Sequence, residues 1–148
     1  MQPVDLGAGV QDASRLVTME ARTQHVTIVL EAPDHPVRVS GVPSLLQQVF
    51  MNLFLNALAA MPEGGLLRVS IERTDTEALV RIRDTGHGIP PGEVGKVFDP
   101  FYTTRPAGRG TGLGLFICHS IVEQHFGTIA VESIEGHGSM FTVSLPLP

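Results

Sequence analysis

Glycines at alternate positions in Gly108-Arg109-Gly110-Thr111-Gly112-Leu113-Gly114-Leu115 leave bare backbone N–H groups where an apolar, helix-spaced run begins. Amides without side chains can close around phosphate oxygens, and the positive end of a helix dipole adds attraction for an anion. The alternative reading of such a turn is a loop that needs positive φ angles. No G-x-x-x-x-G-K-[ST] string occurs, nor a G-x-G-x-x-G register after a strand, so the P-loop and dinucleotide fingerprints are excluded. Gln48, Asn52 and Asn56, four residues apart, form one polar stripe on an otherwise apolar segment. Buried amides must be hydrogen-bonded. The stripe therefore meets loop backbone or water, or it lines a pocket, where an asparagine oxygen is a hard ligand for Mg²⁺ beside phosphates. Asp84 shares strand parity with Val80 and Ile82 and so points inward, just before Thr85-Gly86-His87-Gly88-Ile89-Pro90. An ionised carboxylate only accepts hydrogen bonds, which suits the exocyclic amino group of adenine and disfavours a keto base. Equally, Asp before Gly often caps its own turn.

The elements that must position these residues follow from periodicity. Leu6 to Gln24 carry loose helical spacing, and Val26, Ile28 and Leu30 alternate as a strand. After the turn Ala32-Pro33-Asp34-His35-Pro36 comes a short strand near Val37–Val39. Pro43 opens a helix to about Met61 that is apolar around most of its circumference and hence buried, stopped by Pro62 and Gly64-Gly65. Leu67, Val69 and Ile71, then Val80 and Ile82, form an antiparallel hairpin. The connection from Thr85 to Gly110 is long for a compact domain, as lids and binding loops are. A helix from Gly112 to about Phe126 ends at Gly127, and strands near Thr128–Ile134 and Ser139–Leu145 turn at Gly136-His137-Gly138. This is an α+β pattern: a mostly antiparallel sheet with helices on one face.

Composition bounds the possibilities. At 148 residues, 43% hydrophobic and 17% charged, the chain reads as one folded domain over 1–148. A net charge of −5 argues against a nucleic-acid surface. The single cysteine, Cys118, excludes an internal disulfide and reads as a small buried apolar residue. Without a membrane-spanning run or a leader signal, the expectation is a cytoplasmic segment that makes no membrane contact, although a longer parent could be anchored elsewhere. The histidines His25, His35, His87, His119, His125 and His137 show no metal-binding spacing and read as surface or capping residues.

Four segments, in order, carry a family resemblance. Asn52-Leu53-Phe54-Leu55-Asn56-Ala57 looks like an N box, Asp84-Thr85-Gly86-His87-Gly88-Ile89 like a first glycine box, Phe98-Asp99-Pro100-Phe101-Tyr102-Thr103-Thr104 like an F box, and Gly110-Thr111-Gly112-Leu113-Gly114-Leu115 like a second glycine box. Together, from about Val26 to Pro146, they resemble the catalytic ATP-binding domain of sensor histidine kinases, in the superfamily shared with gyrase, the mismatch-repair ATPase and the heat-shock chaperone ATPase.

The resemblance implies a two-layer α/β sandwich of the Bergerat type, ATP or ADP as ligand, and Mg²⁺. Asn56 would coordinate the metal, with Asn52 beside it. Asp84 would bind the adenine amino group, Gly86 and Gly88 would shape the base pocket, and Ile89 would pack near it. Thr111, Gly112, Leu113 and Gly114 would present backbone to the phosphates, next to Gly110 and Leu115. Tyr102, Thr103, Thr104, Arg105 and the residues to Arg109 would form a lid, with Arg105 or Arg109 steadying the transferring phosphoryl group, and Ser139 would place a hydroxyl near adenine. Arg105 stands where related kinases often have lysine, Ala59 replaces a frequently polar residue, and Phe126 interrupts the usual paired glycines after His125. No phosphoacceptor histidine in a helical H-E/D context occurs. The implied partners are therefore a separate dimerisation domain bearing that histidine, and a response regulator downstream, with the isolated domain expected as a monomer. An ATPase of the same superfamily is the alternative, but it would carry glutamate where Asn52 stands, and an amide cannot take a proton from water. A non-catalytic nucleotide-sensing module is the other.

Overall fold

The computed structural model describes residues 1–102 and 113–148. In chain order the elements are β1 (Gln2–Asp5), α1 (Leu6–Thr23), β2 (Val26–Glu31), β3 (Arg38–Gly41), α2 (Pro43–Ala59), β4 (Gly65–Arg73), β5 (Glu77–Asp84), α3 (Gly114–Gln124), β6 (Thr128–Ile134) and β7 (Gly138–Pro146), with a single 3₁₀ turn at Val94–Lys96. The first two helices have a local reason to start where they do. Asp5 caps α1, its Oδ1 accepting the Ala8 N–H at 3.2 Å. Pro43 occupies the first turn of α2, where its missing N–H has no partner to lose. Leu6, Val10, Ala13, Ser14, Val17 and Ala21 form the buried face of α1, while Leu46, Val49, Phe50, Leu53, Phe54, Ala57 and Leu58 are buried on α2.

A five-stranded sheet runs in the order β2-β4-β5-β7-β6. The β2–β4 pair is parallel, joined through α2, and the other pairs are antiparallel. The core lies between one face of this sheet and the helices. Leu67, Val69 and Ile71 of β4, Val80 and Ile82 of β5, and Phe141, Val143 and Leu145 of β7 fill that face. The opposite face carries charge, including an Arg68–Glu31 pair at 3.1 Å and an Arg81–Glu72 pair. The expected sandwich, with a mixed and mostly antiparallel sheet, is therefore what the chain forms.

Several boundaries differ from the sequence reading. Residues 2–5 form a strand that pairs antiparallel with β3 in a separate two-stranded ribbon, so β3 does not join the main sheet. Gln48 is exposed, and the polar stripe on α2 enters the interior only at Asn52 and Asn56, both half-buried. Leu30, expected on the buried face of β2, is 39% exposed because β2 is an edge strand. After α3 the left-handed residue is Phe126 (φ 61), not Gly127. Its N–H donates to the Glu123 carbonyl at 2.9 Å and that of Gly127 to the Val122 carbonyl at 3.0 Å, a Schellman closure built on an aromatic that is 81% exposed.

Candidate functional site

Helix α2 is the wall that the site residues share. Halfway along it, the Asn52 side-chain N–H donates to the Gly114 carbonyl at 3.4 Å, which ties α2 to the first residue of α3. One turn later Asn56 is half-buried, and its amide has no hydrogen-bond partner among the described residues. Just past the end of α2, the Ala60 carbonyl accepts the His87 N–H at 3.1 Å. The turn after β5 rests against this end so closely that a Cβ on Gly86 would lie 2.4 Å from the Ala60 oxygen. A Cβ on Gly88, at φ +72, would lie 2.3 Å from the Ile134 oxygen. Both glycines are thus required by close backbone approach.

Asp84 ends β5 with its side chain inward, 3% exposed. Register places it in one row across four strands, with Leu67 of β4 on one side, then Ser139 of β7 and Ser133 of β6 on the other. Directly opposed residues of antiparallel strands point to the same face, so the four side chains are neighbours. Asp84 Oδ1 accepts the Gly86 N–H at 2.8 Å. The capping geometry that sequence reasoning offered as an alternative is therefore present, and it uses one carboxylate oxygen. Burial pushes the Asp84 carboxyl above its ordinary value, and the backbone N–H groups of Gly86 and Ser139 and the nearby His87 offset this only in part.

Among the described residues no side chain caps the start of α3. The first N–H groups of a helix carry the positive end of its dipole, which suits an anion. Leu113 and Gly114 are half-buried and Leu115 is buried. The F-box residue Phe98 packs on His119 and edge-on to Phe141, with centroids at 5.5 and 6.1 Å, while Phe101 is exposed at φ 68. The Tyr102 hydroxyl is buried without a partner among the described residues, and burial followed by the charge of Glu93 raises its pKa. Thr103, Thr104, Arg105, Arg109, Gly110, Thr111 and Gly112 lie outside the described residues.

One contributor, Ser133, escaped sequence reasoning, and His125 is one of the histidines read as surface or capping residues. Ser133 shares strand parity with the half-buried Ile129 and Val131, an inward hydroxyl whose signal is the same as that of Asp84. Its Oγ accepts the Ile89 N–H at 2.7 Å and thereby holds the turn after β5 against β6. His125 is buried; its Nδ1 lies 2.8 Å from the Ile121 carbonyl and its Nε2 accepts the Val42 N–H at 3.1 Å. The ring is thus a cap joining the end of α3 to the start of α2. Cys118 is buried with its thiol donating to the Val49 carbonyl at 3.6 Å, and burial pushes its pKa up to about 12, which makes it a packing residue. Among the described residues no group of three or more His, Cys, Asp or Glu could hold a metal ion, and no helix is long and apolar enough to cross a membrane.

Comparison with known proteins gives this geometry its family. The chain is 37% identical to the sensor histidine kinase ZraS of Escherichia coli (strain K12) over 147 residues, spanning 99% of the chain and 31% of that protein. It spans, accordingly, about a third of the curated relatives it matches in this way. The catalytic domain of histidine kinase ThkA in a nucleotide-free form superposes with a TM-score of 0.87 at 30% identity, covering 100% of both chains. ThkA in complex with the response regulator protein TrrA aligns with a TM-score of 0.83 at 26% identity, over 99% of this chain and 42% of that one. Residues 41–148 match the family of histidine kinase-, DNA gyrase B- and HSP90-like ATPases, and this chain belongs to that family, in the form found as the catalytic domain of sensor histidine kinases.

Proposed function

We propose that this domain holds Mg-ATP between α2, the turn after β5 and the N-terminus of α3, and donates the γ-phosphoryl group to a histidine on a separate dimerisation domain. The observation that carries the reading is the role of α2 as common wall: Asn52 reaches Gly114 at the start of α3, and the far end of α2 holds the Asp84–Gly88 turn. A nucleotide laid along α2 would have its phosphates at the helix dipole and its base at the carboxylate. Catalysis of this kind is mostly positioning and charge neutralisation, so a scaffold that fixes both ends of ATP supplies much of what is needed.

In this reading Asp84 accepts from the adenine amino group while Gly86, Gly88, Ile89 and Ser139 shape the base site. Leu113, Gly114 and Leu115, with Gly110, Thr111 and Gly112, face the phosphates. Asn52 and Asn56 stand beside them, Tyr102 to Arg109 close over them, and Arg105 steadies the transferring group. The donor set suits Mg²⁺: among the described residues the half-buried amide oxygen of Asn56 has no competing partner and no acidic or histidine cage forms, which fits a cation that takes its remaining ligands from phosphate and water. When bound, that ion neutralises phosphate charge. The complex of ThkA with TrrA supports a response regulator as downstream partner, and we place the domain in the cytoplasm as a monomer when isolated.

Titration calorimetry with ADP in the presence of magnesium tests the reading. Wild-type protein should release heat, and Asn56→Ala should weaken binding about ten-fold or more when magnesium is present, with a smaller loss in EDTA. Equal affinity in the variant would remove Asn56 from the metal. Phosphate appearing on a supplied dimerisation-domain histidine would separate a kinase from a nucleotide sensor, whereas rapid steady ATP turnover lost on Asn52 substitution would favour the ATPase reading.

A further inference from the structure

We infer that Ser133, which lies outside the base pocket itself, fixes the hydrogen-bond polarity of that pocket by forcing the Ser139 hydroxyl to act as an acceptor. The inference rests on the nucleotide reading above and deepens it from adenine binding to how keto purines are refused.

Ser133 Oγ has three neighbours at hydrogen-bond distance: the Ile89 N–H at 2.7 Å, the Gly138 carbonyl at 3.0 Å and the Ser139 hydroxyl at 3.0 Å. A hydroxyl owns one proton and two lone pairs. The Ile89 N–H can only donate, so it takes one lone pair. The Gly138 carbonyl can only accept, so it takes the proton. One lone pair then remains for Ser139, whose own proton must point back to Ser133. The reverse assignment, with Ser133 donating to Ser139, sets two oxygens 3.0 Å apart at Gly138 with no proton between them, which is unfavourable.

Ser139 is 7% exposed and sits directly opposite Asp84 in the β5–β7 register. With its proton committed, it offers lone pairs only. Beside it is a carboxylate that, when charged, also offers lone pairs only. An exocyclic amino group has two hydrogens to give to such a pair. A keto oxygen at the same position has none, and it meets acceptors without a rotor able to turn and donate. Ser133 is a positioning residue in this scheme: it acts through Ser139, and it removes a donor that would accommodate a keto purine.

The test compares ADP with IDP, which differ in amino against keto at position 6 and in the proton on the neighbouring ring nitrogen, by calorimetry on the whole chain with magnesium. Wild-type protein should prefer ADP. Ser133→Ala frees the Ser139 proton, and the ratio of ADP to IDP affinity should fall about ten-fold. A bracing role for Ser133 would weaken both nucleotides together and leave the ratio unmoved, and that result overturns the inference while the nucleotide reading stands. Ser139→Ala keeps the Ile89 and Gly138 contacts of Ser133, so it answers the same question should Ser133→Ala fail to fold. Its ratio should fall as well, and an unchanged ratio there also overturns the inference. No heat from wild-type protein with either nucleotide would overturn the nucleotide reading itself.

Discussion

At position 84 a carboxylate shares a row with Leu67, Ser139 and Ser133, and burial holds its pKa above the ordinary 3.8. The linkage has a definite sign. Between pH 3.8 and the raised value the folded chain keeps a proton that the unfolded chain has lost, so stability falls as pH rises through that window and stays lower at neutral pH. Asp84→Asn should therefore raise the neutral-pH Tm of the nucleotide-free protein, with the gain vanishing below pH 3.8. The same variant should bind ADP more weakly, and wild-type affinity should decline on acidification as the acceptor gains its proton. A Tm that falls at neutral pH would show that the charged group is better solvated than its burial implies. Gly88 is the other sensitive residue. A side chain there must adopt a left-handed φ of +72 and also meet the Ile134 carbonyl. Gly88→Ala should lower Tm by at least about 3 °C from the backbone term alone and weaken ADP in step.

Among elements, α2 and the antiparallel strands were legible in the sequence because their signals are local: an apolar helix with Pro43 at its start, and alternation in β4, β5, β6 and β7. The inward turn of Asp84 followed from parity in the same way. What could not be read were features fixed by distant partners. Strand β1 has Pro3 and little alternation, and only pairing with β3 makes it a strand. The capping of α2 by His125 links Val42 to a residue 83 positions away, and no window of sequence contains both. His125→Ala leaves the Val42 N–H without that acceptor, so stability should drop by about 1–3 kcal/mol in denaturant unfolding. Because the ring lies at the opposite end of α2 from Ala60, ADP affinity should change less than two-fold, about the resolution of a binding titration.

For the whole molecule, the wall formed by α2 makes binding and folding one equilibrium. A ligand contacting the second half of α2, the β5 turn and α3 binds the assembled sandwich and not the open chain. At a hundred times its dissociation constant, ADP with magnesium should add about 2.7 kcal/mol of stability, read as a higher Tm or denaturant midpoint. A midpoint indifferent to ADP would mean that the four boxes do not converge on one ligand.

Strand β7 lies between β5 and β6 although it follows both in the chain. On the ribosome, then, a growing polypeptide that has emerged as far as Gly136 has two bare strand edges with nothing to bridge them, and Asp84 lacks the neighbour that completes its row. Only when β7 enters the gap is the five-stranded sheet closed, and the same step gives Asp84 its Ser139 neighbour.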